Sequence, residues 1–267
     1  MALLENIIEI MKEACAIVKT AYEAPEQLHT AKADGSPVTA ADMLSHEFLV
    51  GELAKLERIP VVSEESDAHD TKNASRYWCV DPLDGTKGFV SRSGDFSINV
   101  AIIENERAVF GCIGRPLTGD IYWASRGEGA FKNGAAIRNE RAGAGELTAL
   151  TSSSHLKEGD LELLRAFGIG KRVAMGSALK FGLLAEGAAD LYVRFGPTMF
   201  WDTAAGQILV EEAGCRMLEL ESRRPMSYPP SRQMKNEGFV VFRSSLQFDF
   251  SLLETARRAR LQRPPGQ

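Results

Sequence analysis

The sequence predicts a protein of mixed class, α+β in its first half and α/β in its second, and three observations predict it. Short β-rich runs separated by turn residues crowd the stretch 59–124. Strand-like and helix-like segments then alternate over 147–213, the pattern of an α/β layer arrangement. Between the two textures lies 141–146, rich in Gly and Ala and the most linker-like stretch of the chain. The expected halves are therefore 1–143 and 144–267, packed tightly together, with the functional site between them.

Leu4, Ile7, Ile8, Met11, Cys15 and Val18 recur at helical spacing and make an amphipathic opening helix. Glu5, Glu9 and Glu13 fall inside that pattern, so the segment has neither the basic start nor the apolar core of a secretory signal. A loop around Asp34-Gly35-Ser36-Pro37 leads to Thr39-Ala40-Ala41-Asp42, which has the form of a capping box. Leu44, Phe48, Leu49 and Leu53 continue it as a second helix. Strands are expected over 59–63, 77–80, 96–103, 108–113 and 121–124, and 127–134 reads as a hairpin. Past the boundary come strand 147–151, helix 161–167, strand 172–174, helix 178–186, strand 190–195 and helix 203–213. A strand over 238–243 and a helix over 252–261 close the chain.

With 267 residues, 44% hydrophobic and 25% charged, the chain has enough material for a sizeable core and the composition of an ordinary globular protein. A net charge of -5 argues against a nucleic-acid polymer as partner, yet allows a small anionic substrate received by bound cations and a few local basic groups. Cys15, Cys79, Cys112 and Cys215 show no paired spacing and read as reduced, buried thiols. No run is long and apolar enough to span a bilayer, so a cytoplasmic location is expected.

The chemistry concentrates at Asp81-Pro82-Leu83-Asp84-Gly85-Thr86, directly after the strand-like Tyr77-Trp78-Cys79-Val80. Pro fixes φ and Gly opens conformations closed to other residues, so the strand is expected to break into a tight loop with both acids at its mouth. Carboxylates, a backbone carbonyl and water form a hard-ligand set, suited to Mg²⁺ or Mn²⁺ rather than zinc or copper. Gly85 and Thr86 would offer backbone N–H groups to a phosphate. Val62-Ser63-Glu64-Glu65-Ser66 and Trp201-Asp202 supply further acids. Each has an ordinary structural reading as well: a turn for the loop, a helix N-cap for Asp202, solvated acids for Glu64 and Glu65, the capping box for Asp42. Lys180 and Arg194 by themselves read as surface charges, and His155, after Thr151-Ser152-Ser153-Ser154, equally as ligand or exposed loop. There is no Gly-x-Ser-x-Gly elbow, and two residues separate Asp81 from Asp84 where an aspartyl-phosphate phosphatase needs Asp-x-Asp.

Asp81-Pro82-Leu83-Asp84-Gly85-Thr86 followed by Trp201-Asp202-x-x-Ala205-Gly206 resembles the paired signature of the inositol monophosphatase superfamily, Mg²⁺-dependent phosphatases. Thr39-Ala40-Ala41-Asp42, Ser63-Glu64-Glu65, Gly127-Glu128-Gly129-Ala130 and Gly214 fall in the expected order. Gly176-Ser177-Ala178-Leu179-Lys180-Phe181 and Arg194-Phe195-Gly196-Pro197-Thr198 look most like its 3'(2'),5'-bisphosphate nucleotidase branch. The resemblance implies a layered α-β-α-β-α sandwich and two or more Mg²⁺ ions, with Mn²⁺ as substitute. Their ligands would be Glu64, Asp81, the Leu83 carbonyl, Asp84 and Asp202, Glu64 also counting among the catalytic residues.

It further implies that Thr86, oriented by Asp42, holds the attacking water, and that Gly85, Thr86, Ser152, His155, Gly176, Lys180, Arg194 and Asp202 form the substrate pocket. Arg194 stands about where inositol monophosphatases carry an acid, which favours a second phosphate over a ring hydroxyl. The implied reaction converts adenosine 3',5'-bisphosphate to AMP and phosphate, in sulfur assimilation, with a homodimer an allowed assembly. Inositol phosphates, sugar bisphosphates and a non-catalytic phosphate or metal sensor are the alternatives. Two departures bear on substrate preference: Gly88 stands where such nucleotidases often have Glu, and Phe200 where a polar or acidic residue is common.

Overall fold

The apolar stripe of the opening segment becomes helix α1 (Ala2–Glu23), which buries Ile7, Met11, Ala14 and Val18. The computed structural model describes residues 2–24, 29–31, 37–66, 71, 74–140, 146–153, 158–230 and 233–253. A short antiparallel pair, β1 (His29–Ala31) and β2 (Pro37–Thr39), leads into α2 (Ala40–Leu56). The capping box forms as expected: Thr39 Oγ1 accepts the Ala41 N–H at 3.2 Å, and Asp42 Oδ2 accepts the Thr39 N–H at 2.7 Å.

Seven strands follow in one sheet, in chain order across it: β3 (Val61–Ser63), β4 (Arg76–Asp84), β5 (Ser97–Glu104), β6 (Arg107–Arg115), β7 (Asp120–Ser125), β8 (Gly129–Lys132) and β9 (Ala135–Ile137). Only β3 and β4 run parallel; the rest form an antiparallel meander. The strand expected to end at Val80 continues to Asp84. Asp81 pairs with Asn99 and Asp84 with Ser97, so two residues, Pro82 and Leu83, oppose the single Ile98 in a bulge. A bulge leaves its extra residue unpaired, which is where a Pro without an N–H costs no ladder bond. Ser45 Oγ of α2 donates to the Pro82 carbonyl at 2.8 Å and fixes the bend. Directly after it, Gly85 at φ 89° caps a helix the sequence did not announce, α3 (Thr86–Val90).

The second sheet has the order β11-β10-β12-β16-β14, from β10 (Thr148–Ser152), β11 (Lys171–Met175), β12 (Leu191–Arg194), β14 (Cys215–Glu219) and β16 (Phe239–Arg243). Strand β10 is parallel to β11 and β12; β16 is antiparallel to β12 and β14. Between these lie β13 (Thr198–Met199) and β15 (Lys235–Asn236), a small pair. The helices are α4 (Glu158–Ala166), α5 (Leu179–Ala185) and α6 (Phe200–Glu212).

Three apolar clusters define the layers. One joins α1 and α2 to the outer face of the seven-stranded sheet through Met11, Leu49, Trp78 and Val100. A second, the largest, holds α5 and α6 between the two sheets through Phe181, Ile208, Tyr77 and Val241. The third covers the outer face of the second sheet with α4 through Leu163, Leu164, Leu191 and Phe242. The order is α-β-α-β-α. All four cysteines are buried and free, and no helix among the described residues is long and apolar enough to cross a membrane. Of the linker expected over 141–146 and the helix expected over 252–261, residues 141–145 and 254–261 lie outside the described residues.

Candidate metal centre and substrate cleft

Strand β4 and helix α6 bring the acids together. The bulge at the C-terminal end of β4 carries Asp81 and Asp84, and Asp202 comes from the first turn of α6; one carboxylate oxygen from each lies within 4.8 Å of the other two. Asp202 is not the N-cap, as its place in the sequence suggested. Met199 is, and Asp202 at the third helical position accepts the Met199 N–H at 2.7 Å. Asp84 Oδ2 accepts from Asn99 Nδ2 at 3.3 Å and from the Ala178 N–H. Asp81 Oδ1 accepts the Leu83 N–H at 3.1 Å, whereas Asp81 Oδ2 is buried with no hydrogen-bond partner among the described residues.

The energetics of this cluster call for positive charge. Burial, followed by the charges of Glu64, Asp84 and Asp202, pushes the Asp81 carboxyl well above the usual range. Burial raises Asp84 against the pull of Lys180, and burial with the Asp84 charge lifts Asp202 to about 8. An isolated buried carboxylate is expensive, and three together repel one another. A buried carboxylate oxygen lacking a donor, inside an all-oxygen set, fits a hard divalent cation. Glu64 lines the same cleft but is not one of the three clustered acids; Glu65, beside it in the chain, is half-buried.

Beside the acids, Thr86 Oγ1 lies 3.2 Å from both Asp42 Oδ1 and the Leu83 carbonyl, with its proton directed at these acceptors. Asp42 is 1% exposed and takes the Thr39 hydroxyl at 2.6 Å, so its capping role and its hold on Thr86 use different oxygens. One cleft of about 660 Å³ gathers the acids with Gly85, Thr86, Ser152, Gly176, Lys180 and Arg194. His155 lies outside the described residues.

Lys180 is not a surface charge: it is 5% exposed, and its ammonium donates to the carbonyls of Met175 and Ser177 at 3.2 and 2.6 Å. It sits 5.3 Å from the centre of the Tyr192 ring. Burial lowers its pKa to about 8, opposed by the Asp84 charge. Arg194 ends β12 with its Nε buried and unpartnered among the described residues, and Thr198 Oγ1, also in the cleft, is in the same condition. The Gly176 N–H is already engaged by Asp95 Oδ2 at 3.0 Å.

Asp95 lines the cleft although nothing in the local sequence singled it out; Ser177 and Thr198 line it too, and they lie in the two segments that carry the resemblance without having been named as site residues. The two departures separate in space. Gly88 lines the cleft, while Phe200 is buried in the core, edge-on to Tyr228 at 5.3 Å, and is not among the residues lining the cleft.

The family profile "Inositol monophosphatase family" matches residues 2–246. A 3'(2'),5'-bisphosphate nucleotidase CysQ from Salmonella typhimurium is 37% identical over 246 residues, 90% of this chain and 99% of that relative. Among solved structures, CysQ from Bacteroides thetaiotaomicron, a bacterial member of the inositol monophosphatase family, superposes with a TM-score of 0.79 at 30% identity, over 91% of this chain and 97% of its own. An IMPase from Thermotoga maritima superposes at 0.81 over 98% and 99% of the two chains; at 23% identity that likeness concerns the fold.

Proposed function

Because the chain belongs to the inositol monophosphatase family, we propose that it hydrolyses adenosine 3',5'-bisphosphate to AMP and inorganic phosphate, in a metal-dependent reaction serving sulfur assimilation in the cytoplasm. The observation that carries the reading is the triad Asp81, Asp84 and Asp202, with its donor-less oxygen, set beside the Thr86–Asp42 pair. Glu64, Asp81, the Leu83 carbonyl, Asp84 and Asp202 would hold Mg²⁺, with Mn²⁺ as a substitute, at more than one position. When bound, the metal supplies the positive charge that neutralises the phosphoryl oxygens and acidifies a water.

The chain's own residues do the rest. Thr86 Oγ1, its proton committed to Asp42 or the Leu83 carbonyl, turns its lone pairs toward the cleft and accepts a hydrogen bond from the attacking water, taking no proton from it. The water is thereby aligned for in-line attack on phosphorus, without a covalent intermediate on the enzyme. Asp42 keeps the threonine hydroxyl from rotating. Lys180 and Arg194 receive the second phosphate; Arg194 brings a fork of donors whose Nε lacks a partner among the described residues. Ser152, Gly85 and the turn at Gly176 complete the pocket wall, formed where residues 1–143 meet residues 144–267.

The deciding experiment is phosphate release from adenosine 3',5'-bisphosphate, with inositol 1-phosphate and fructose 1,6-bisphosphate in parallel, at fixed Mg²⁺ and with EDTA as control. Preference for the nucleotide that EDTA abolishes is the expected result. Preference for an inositol or sugar phosphate would overturn the roles given to Lys180 and Arg194 while sparing the metal chemistry. Absence of turnover on all three would overturn the enzyme reading itself.

A further inference from the structure

Three glycines of the cleft converge on one acid. A Cβ on Gly85 or on Gly88 would stand 2.6 Å from the Asp95 carbonyl oxygen, and a Cβ on Gly176 would stand 2.7 Å from Asp95 Cβ and 2.9 Å from its carbonyl. Contacts below 3.0 Å are closer than a real Cβ tolerates, so only glycine lets these three segments close around Asp95. The side chain of Asp95 then crosses to the turn after β11 and accepts the Gly176 N–H at 3.0 Å.

That turn is clasped twice. Asp84 takes the Ala178 N–H and Asp95 the Gly176 N–H, one residue on either side of Ser177, which is held at φ 51°. A non-glycine residue in this left-handed region persists only when its surroundings over-determine it. The carbonyls of Met175 and Ser177, in the same turn, are the ones that anchor the Lys180 ammonium.

We infer that Asp95 is a positioning residue for the substrate's second phosphate, acting through the 175–178 turn to place Lys180. The inference rests on the nucleotidase reading and goes beyond it, because Asp95 belongs neither to the acid triad nor to the Thr86–Asp42 pair. Its effect falls on binding more than on the chemical step: Asp84 keeps its bond from Asn99 when the turn shifts, whereas the Lys180 ammonium moves with its two carbonyls. Gly88 is part of the device, since any side chain there would press the Asp95 carbonyl away from α3.

The test compares Asp95→Ala, Asp95→Asn and Gly88→Ala on adenosine 3',5'-bisphosphate and on adenosine 3'-phosphate, which lacks the second phosphate. Misplacing a positioning contact costs on the order of ten- to a hundredfold. Asp95→Ala and Gly88→Ala are expected to raise KM for the bisphosphate by that factor, with KM for the monophosphate and both kcat values little changed. Asp95→Asn, which retains an acceptor for the Gly176 N–H, is expected to restore KM. Equal changes on both substrates, or a lowered thermal midpoint with unchanged KM, would overturn the inference. So would an Asp95→Asn as impaired as Asp95→Ala, because charge rather than position would then be at work. Amide hydrogen exchange over 175–180, followed without metal or substrate, is expected to quicken in Asp95→Ala and recover in Asp95→Asn. If the wild-type protein fails to use the bisphosphate, the nucleotidase reading falls, and the exchange data still decide whether the clasp exists.

Discussion

Asp84 connects three parts of the site at once: its oxygen accepts from Asn99 on β5 and from the Ala178 N–H before α5, and it faces Asp81 and Asp202. Replacing it by Asn keeps the shape and removes one of three crowded charges. Asp84→Asn is expected to lower metal-dependent hydrolysis by roughly a hundredfold or more. The thermal midpoint of the metal-free protein should stay unchanged or rise; near-normal turnover would refute the metal assignment. Arg194→Glu is expected to weaken use of a bisphosphate far more than of a monophosphate, checked by kcat/KM on the two, because it exchanges the forked donor for a like charge. The acids of the triad were legible because their spacing around Pro82 and before Ala205-Gly206 is local information. Asp95 was not, since Arg92-Ser93-Gly94-Asp95 reads as an ordinary turn and its bond to Gly176 spans 81 residues of sequence. Lys180 looked like a surface charge for the same reason: the carbonyls that hold it are local, but the core that buries it is not.

Among the elements, α6 has the most to reconcile. Ten of its residues are buried, it fills the space between two sheets, and it carries Asp202 in its first turn. Gly206 permits this: a Cβ there would lie 2.2 Å from the Phe181 ring of α5. On an exposed helix Gly→Ala would stabilise by about 1 kcal/mol. Here the overlap reverses the sign, and Gly206→Ala is expected to destabilise by about 1–3 kcal/mol in urea titration. Activity should fall further than stability alone explains, because Asp202 moves with the helix. Helix α1 could be read from pattern, since burial on one face writes a period into the sequence, and the meander strands from their short apolar runs bounded by turn residues, since both faces of their sheet are covered. The bulge that prolongs β4 to Asp84, the single turn of α3 and the edge strand β14 could not. Their conformations are set by partners such as Ser45, by Gly85 at φ 89° and by β16.

For the whole molecule, the acid cluster links stability to pH and to cation. The folded, metal-free protein holds a proton on Asp202 up to about 8, where an unfolded aspartate has lost it above its ordinary 3.8. The native state therefore binds more protons across that window, and its stability falls as pH rises through it. Asp81 and Asp84, also raised, act in the same direction. Thermal melts of EDTA-treated protein are expected to show a midpoint declining from about pH 5 toward pH 8, and added Mg²⁺ to raise it most at the alkaline end, where protons no longer compete for the carboxylates. A midpoint indifferent to both would count against a shared cation site. The positions of the functional groups have a consequence for inheritance. Asp81, Asp84 and Asp202 hang on a core strand and a core helix, whereas Arg194 stands at the end of β12 and Asp95 in the loop before β5, both at the rim of the cleft. Mutation can rewrite the rim while the core is held fixed by packing, so descendants of one such gene can exchange one phosphate ester for another without having to reinvent how the phosphorus is attacked.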